Sequence, residues 1–340
     1  MTPSASTDAP PPQMLEALEQ DLRQTVAVLG SGPAAPMSEM IAYHLGWTGE
    51  KPLTRGKRLR PLLTLLVCAA AGGDWRHALP AASAVELIHN FSLVHDDIQD
   101  NSAERRGRPT VWKIWGLPQA INTGDALLIL SRLGLDRLLL LGTPPSTILQ
   151  VHRRLDEACL HLTQGQHLDL AFENRKSVAV AEYLEMIEGK TGALVAAATA
   201  SGALLASADE PTVEAYFQYG RRLGLAFQMQ DDILGIWGEP EVTGKPAGDD
   251  LRARKKTLPV LCGLQNSPEF TEFWGSGHSD DPTIRRMTQT LEQAGADGYT
   301  RALAAEHTHH ALGELERASP KGDAGRELRD LTLRLLHRDR

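Results

Sequence analysis

Aromatic side chains make up only 5% of the 340 residues. That scarcity weighs against a strand-built fold, because strands gather aromatic and β-branched residues at period two. Uncharged apolar runs long enough to cross a bilayer, about 18 residues or more, are also missing, which excludes a transmembrane helix. Only three cysteines occur, Cys68, Cys159 and Cys262, far apart, in apolar runs and in no CxxC pair. They read as buried thiols in a reducing compartment rather than a disulfide framework. A positive balance is lacking too, since 35 Lys and Arg against 43 Asp and Glu leave a net charge of −8. Nucleic acids and anionic membrane surfaces need a basic footprint, so neither is the expected partner. The opening MTPSASTDAPPPQ has neither the basic nor the apolar segment of a targeting signal, and the cytoplasm is the expected location.

What remains is an ordinary globular composition, 42% hydrophobic and 23% charged, able to bury a large core. A Pro/Ser/Thr-rich tail over 1–13 is expected to be disordered. Beyond it no linker longer than a loop interrupts the chain, so 14–340 reads as one all-α domain. Leu15, Leu18, Leu22, Val26 and Leu29 recur at helical spacing and predict an amphipathic first helix. A second helix follows the GSGPAAP break. The same periodicity predicts helices over 59–71, 78–99, 118–140, 145–171, 180–189, 191–207, 211–236, 257–264, 282–294, 297–317 and 323–338. The run TGALVAAATASGALLASA is apolar on almost every side, which implies a many-helix bundle with a buried central element.

The strongest chemical signal is LIHNFSLVHDDIQD. At roughly 100° per residue, Asp96 at the origin puts Asp100 near 40°, His89 near 20°, Ser92 near −40° and Asp97 near 100°. Asp96 and Asp100 thus form one acidic edge with His89 two turns earlier. Adjacent carboxylates raise one another's pKa unless a cation neutralises them. Oxygen ligands of this kind suit Mg²⁺, which keeps several waters and is completed by substrate phosphates. A solvated helix end is the plain alternative. A second copy, FQMQDDILG, follows about 135 residues on with Asp231 and Asp232. Two such motifs in one bundle are expected on opposed walls. Gln228, one turn before Asp231, shares its face and could hydrogen-bond a diphosphate oxygen.

Basic clusters accompany the acidic ones. Arg55, Lys57, Arg58 and Arg60 precede a helix N-terminus, Arg105, Arg106 and Arg108 follow the first motif, Lys190–Thr191 interrupts two apolar helices, and Lys245, Lys255 and Lys256 lie beyond the second motif. Each cluster alone is a solvated loop. Together, in an acidic chain, they are what the binding of two diphosphates requires, Arg as a fork and Lys as a point charge.

At these residues the chain resembles the trans-isoprenyl diphosphate synthases, or polyprenyl synthetases. GKRLRP, ELIHNFSLVHDDIQD, ERRGRPT, NTGDALL, GQHLDL, EMIEGKTGAL, FQMQDDILG and TGKPAGDDLRARKKT match the family pattern in order over roughly residues 50–260. The resemblance implies a helical bundle around a deep central cavity, normally a homodimer, that condenses an allylic diphosphate with isopentenyl diphosphate. It implies a catalytic set of Asp96, Asp97, Asp100, Asp231, Asp232, Lys190 and Gln228. Of these, Asp96, Asp100 and Asp231 would ligate Mg²⁺, three ions per site, with Mn²⁺ as the alternative ion. Lys57, Arg60, His89 and Arg106 would bind isopentenyl diphosphate. Arg105, Lys190, Thr191, Gln228, Lys245 and Lys255 would hold the allylic diphosphate. The departure is Gly235, where many members carry a third Asp, which puts the ligation around the second motif in question.

The product expected from the resemblance is C20, geranylgeranyl diphosphate, because a bulky Phe91 five positions before Asp96 and a small Ser92 after it resemble the C20 pattern. Farnesyl and longer polyprenyl products are the alternatives. From other classes come an HD-type metal phosphohydrolase, for which His95–Asp96 would be the signature, a terpene cyclase, whose second-wall metal motif is missing, and a non-catalytic subunit of a heteromeric synthase, expected to have lost its aspartates or lysines.

Overall fold

The computed structural model describes residues 12–48, 58–239 and 246–336, and these are helical apart from loops and one two-stranded hairpin. No described helix is long and apolar enough to cross a membrane. The N-terminal tail and the basic residues Arg55, Lys57 and Lys245 lie outside the described residues, as does the basic end of the chain from 337 on.

The described residues fall into two compact units. The first is drawn from residues 1–156, 198–210 and 321–325. It begins with α1 (Pro12–Val26), so Pro12 and Gln13 belong to a helix rather than to the tail, and proline's fixed φ suits a first helical turn. α2 (Ala35–His44), α3 (Leu59–Ala70) and α4 (Leu79–Gln99) follow. β1 (Glu104–Arg105) and β2 (Arg108–Pro109) pair antiparallel with Arg105 opposite Arg108. The short α5 (Val111–Trp115) leads into α6 (Leu117–Leu135) and α7 (Arg137–Leu140). The single helix expected over 118–140 is broken because hydrogen bonding tightens to i→i−3 at Asp136 and Leu139. α4 packs along α6, and Leu62, Leu63, Val85, Ile88 and Leu127 are buried.

The second unit is drawn from residues 157–197, 211–320 and 326–340. α8 (Pro145–Glu173) and α10 (Ala193–Leu205) contribute residues to both units. α9 (Val180–Ile187) runs into α10 through a π-turn over Glu188–Gly192, so the expected gap between two helices is a widened turn instead. α10 is buried over most of its length, as its composition requires. α11 (Glu210–Trp237) carries the second acidic motif. Among the described residues six further helices follow, from α12 (Asp249–Arg252) and α13 (Leu258–Asn266) through Pro268–Ser276, Asp281–Gln293 and Ala296–Arg317 to Gly322–Leu336. The helix over 268–276 escaped the periodicity because it is short, although its Ser267 cap and Pro268 are the usual start signals. Met186, Leu225, Met229, Leu258 and Leu261 form one apolar cluster, and Ile233, Trp237, Phe270, Met287 and Leu291 another. All three cysteines are buried and free, and burial pushes the Cys68 thiol up to about 12.

Arg58, grouped by sequence with the anion-binding cations, has a structural task instead. Only 5% exposed, it donates to Glu86 Oε1 at 2.5 Å, Glu19 Oε1 at 2.9 Å and the Leu45 carbonyl at 3.2 Å. These bonds tie α1, α2 and α4 to the start of α3. Removing one partner of a buried pair strands the other's charge, which costs about 3 kcal/mol. Arg58→Ala is therefore expected to lower the calorimetric melting temperature by several degrees, whereas Arg76→Ala, which breaks an exposed pair with Asp74, should leave it nearly unchanged.

Candidate active site

In the first unit, α4 delivers the DDIQD motif to its own C-terminus. Asp96 is half-buried, and Asp100 is the exposed C-cap, its N–H bonded to the Asp96 carbonyl at 2.8 Å, so helical spacing persists and the two carboxylates sit one turn apart. Asp97 points elsewhere. It is buried, and Arg105 Nε and Nη2 both reach its Oδ1 at 2.8 Å. Burial raises the Asp97 carboxyl pKa against the pull of Arg105. The residue anchors the hairpin. Within the hairpin, Arg106 and Gly107 take φ of 54° and 71°, the paired positive values of a type I′ turn. Arg106 stands exposed at the tip. Arg108 stacks on the Tyr43 ring at 3.6 Å and donates to the Tyr43 and Thr48 carbonyls, so it holds the hairpin to α2 and the loop after it.

His89 lies on the same face of α4, with Arg60 Nη1 3.4 Å from its Nε2. Burial, then the charges of Arg60, Arg106 and Arg105, drive its pKa well below the usual value, leaving a neutral imidazole among cations. Phe91 is half-buried and meets His95 edge-on at 4.9 Å. Ser92 is buried and donates back to the His89 carbonyl at 2.8 Å.

In the second unit, the π-turn and α11 present the other motif. Lys190 Nζ pairs with Asp169 of α8 at 2.5 Å. Glycine makes this crossing possible, because a Cβ at Gly165 would lie 2.2 Å from the Lys190 nitrogen and one at Gly224 would lie 2.7 Å from Gly192 Cα. The close approach sets Thr191 Oγ1 against Gln228 Oε1 at 2.9 Å, and Gln228 Nε2 donates to Asp232 Oδ1 at 3.1 Å. Gln228 is thus committed to Thr191 and Asp232, four residues on, rather than to the Asp231 side. Asp232 also accepts the Tyr183 hydroxyl at 2.5 Å and the Leu258 N–H at 3.0 Å. Its burial raises the carboxyl pKa to about 7 and, with the nearby carboxylate, raises that of Tyr183. Asp231 is half-buried. Lys255 is exposed, while Lys256 closes the end of α8 on the Phe172 and Glu173 carbonyls.

The departure at Gly235 has a steric cause. A Cβ built there would lie 1.9 Å from Asp250 Oδ2 and 2.5 Å from its Cγ, so the Asp250 carboxylate fills the space in which a third aspartate would begin. Sequence reasoning did not single out Asp250 from TGKPAGDD, nor Tyr183, because their importance lies in contacts across helices that no spacing reveals. Overpacking of this kind costs about 1–3 kcal/mol. Gly235→Ala is expected to lower the melting temperature, and Gly235→Ala/Asp250→Ala to restore most of it, as measured by calorimetry.

No three His, Cys, Asp or Glu side chains among the described residues converge on a metal position. The donor sets are still of the right chemistry, since a pair of carboxylates one turn apart is an all-oxygen set that Mg²⁺ takes together with water and substrate phosphates.

Similarity to known proteins agrees with the architecture. A family model described as polyprenyl synthetase matches residues 48–291. The chain is 41% identical over 307 residues to a (2E,6E)-farnesyl diphosphate synthase of Mycobacterium bovis, covering 87% of this chain and 84% of that protein. It is 42% identical over 289 residues to a geranylgeranyl diphosphate synthase of Mycobacterium tuberculosis, covering 82% and 81%. Among solved structures, a polyprenyl synthetase from Streptomyces coelicolor A3(2) superposes with a TM-score of 0.84 at 37% identity over 96% of this chain and 97% of that one. A geranylgeranyl pyrophosphate synthetase from Pyrococcus horikoshii gives a TM-score of 0.87 at 32% identity over 96% and 98%. An all-helical fold with acidic and basic motifs in this order defines an isoprenyl synthase. The chain belongs to the polyprenyl synthetase family.

Proposed function

We infer that this chain is a trans-prenyl diphosphate synthase, which condenses isopentenyl diphosphate with an allylic diphosphate, and that its product is the C20 geranylgeranyl diphosphate. Family membership supports the reaction class, and relatives named for both C15 and C20 products fit it. The observation that carries the reading is the adjacency in one unit of the Asp96/Asp100 edge of α4 and the pair formed by His89 of α4 and Arg60 of α3.

Asp96, Asp100 and Asp231 are the ligands proposed for Mg²⁺, which, when bound, draws charge off the allylic diphosphate as a Lewis acid. Arg60, His89 and Arg106, with Lys57, hold the second diphosphate. Lys190, Thr191, Arg105, Lys245 and Lys255 serve the allylic one, with Lys190 positioned by Asp169 and Thr191 by Gln228. Departure of the diphosphate leaves an allylic cation, whose C1 the isopentenyl double bond attacks. Loss of a proton to the departed diphosphate completes a product one C5 unit longer. Water must be excluded, or it captures the cation. Asp97 and Asp232, grouped by sequence with the catalytic set, work here through Arg105 and through Tyr183, Gln228 and Leu258. Exposed Leu117, Ile121, Ile129 and Leu133 of α6 and Leu140 of α7 are apolar surface that a second copy of the chain would cover, in line with a homodimer.

Asp96→Ala, Asp100→Ala and Asp231→Ala are expected to lower kcat by about 10²-fold or more, because a lost ligand removes charge stabilisation in the transition state. Asp232→Ala, by contrast, should lower the melting temperature as well, since it unpairs a buried hydroxyl and N–H. Near wild-type turnover of Asp96→Ala with isopentenyl diphosphate and any allylic primer would overturn the reading. Chain length has its own check. Wild-type protein should stop at C20, and Phe91→Ala should open about one helical turn, roughly 5 Å, and yield longer products by chromatography of the dephosphorylated alcohols. A C15 end product, or an unchanged length in Phe91→Ala, places the floor elsewhere.

A further inference from the structure

A solvent-open cleft in the first unit is lined by Tyr43, His44, Asp97, Arg105, Arg106 and Arg108, among others. His44, the last residue of α2, belongs to none of the motifs above. Its Nε2 is shielded from solvent and has no hydrogen-bond partner among the described residues. A buried ring nitrogen left unpaired is costly, and such groups persist where a ligand completes them.

Its surroundings identify that ligand. Asn90 lies beside the imidazole, and the nearby charges are Arg105, Arg106 and Arg58. His44 and His89 also lie close enough to act on each other electrostatically, which joins this cleft to the Arg60–His89 pair. Asn90 Nδ2 already donates to the Glu86 carbonyl at 2.8 Å and to Glu86 Oε1 at 2.7 Å, so Asn90 can only accept from His44. A neutral ring protonated on Nδ1 suits that acceptor, and Nε2 then holds a lone pair among guanidinium groups.

We propose that His44 is a further binding residue for the diphosphate of isopentenyl diphosphate, its Nε2 meeting a diphosphate oxygen beside Arg106 and His89. The proposal rests on the synthase reading above. Two carboxylates sit among the charged groups around the ring, Glu86 engaged by Arg58 and Asp97 engaged by Arg105, so in the empty cleft the cations dominate. Burial and those cations hold the imidazole pKa at about 3, and at neutral pH the ring is neutral. An incoming diphosphate reverses the local charge. Nε2 then takes a proton from solvent and becomes a donor to the diphosphate oxygen, while Nδ1–H stays on Asn90. No bond in the substrate changes. The ring adds a charge only when the anion is present, whereas a lysine there would repel the arginines in the empty site.

The test is calorimetric titration of isopentenyl diphosphate into the full chain at neutral pH, in two buffers of different ionisation enthalpy. Wild-type protein is expected to take up protons on binding. His44→Asn, which can keep the bond to Asn90 but has nothing at the Nε2 position, should raise Kd about tenfold or more, the scale of one lost hydrogen bond to a charged group, and take up fewer protons. His44→Gln, whose amide can reach that position as a permanent donor, should keep more of the affinity while also losing proton uptake. The KM for the allylic substrate should not move in either variant. A purely structural histidine would change melting temperature and leave proton uptake as it was. Equal Kd and equal proton uptake in wild type and His44→Asn overturn the assignment, as does the absence of any uptake in wild type should both variants fail to fold. Failure of wild-type protein to bind isopentenyl diphosphate at all would instead overturn the synthase reading.

Discussion

Two adjacent carboxylates repel one another, and a helix relieves the repulsion by sending neighbours about 100° apart. Both acidic motifs use that divergence in the same way. In the first, Asp97 turns inward and is neutralised by Arg105, which leaves Asp96 and Asp100 on the outer edge. In the second, Asp232 turns inward to Tyr183, Gln228 and the Leu258 N–H, which leaves Asp231. One carboxylate of each pair builds the protein, and the other is the one proposed above as a cation ligand. The inward member is also what fixes the cationic partners, since Arg105 is held by Asp97 and Thr191 is linked to Asp232 through Gln228. Acidic and basic groups that read as parallel ingredients in the sequence are therefore mechanically coupled.

The second constraint is backbone proximity. Lys190 and Thr191 sit on a π-turn pressed against α8 at Gly165 and against α11 at Gly224, and any side chain at those glycines would push the turn away. The widened turn matters because it breaks the regular α-helical ladder where these two polar residues must project, between two otherwise apolar helices. Gly235 belongs to the same logic with a different neighbour, a carboxylate in place of backbone. In place of a third aspartate on the helix itself, the carboxylate of Asp250 from α12 occupies the space beside Gly235.

The helical fold and most helix limits were legible because apolar spacing survives in long helices such as 79–99 and 210–237. The DDIQD edge was legible too, since a helical wheel needs no tertiary knowledge. The split of Asp96 from Asp97 could be foreseen as an angle but not as a role, because the partner Arg105 comes from a hairpin whose pairing the sequence does not show. Gln228 was read as sharing the Asp231 face and reaching a diphosphate oxygen, and its hydrogen bond to Asp232, its i,i+4 neighbour, was not foreseen. Arg58 was misread with its neighbours because charge alone does not distinguish a cation aimed at solvent from one folded back onto Glu86 and Glu19. His44 gave no signal at all, for its surroundings come from α2, α4 and the hairpin together.

Those surroundings show why a site for multiply charged anions should mix guanidinium with imidazole. Arginine is charged at every accessible pH, so each arginine added to an empty cleft raises the repulsion among those already there. Burial first, and then the charges of Arg60, Arg106 and Arg105 for His89 and of Arg105, Arg106 and Arg58 for His44, leave each ring without a second proton. Glu86 and Asp97 offset part of this charge but are themselves bound to arginines. Neutral rings add no charge to that cleft, and under the proposal above a diphosphate that offsets the neighbouring cations makes their basicity available.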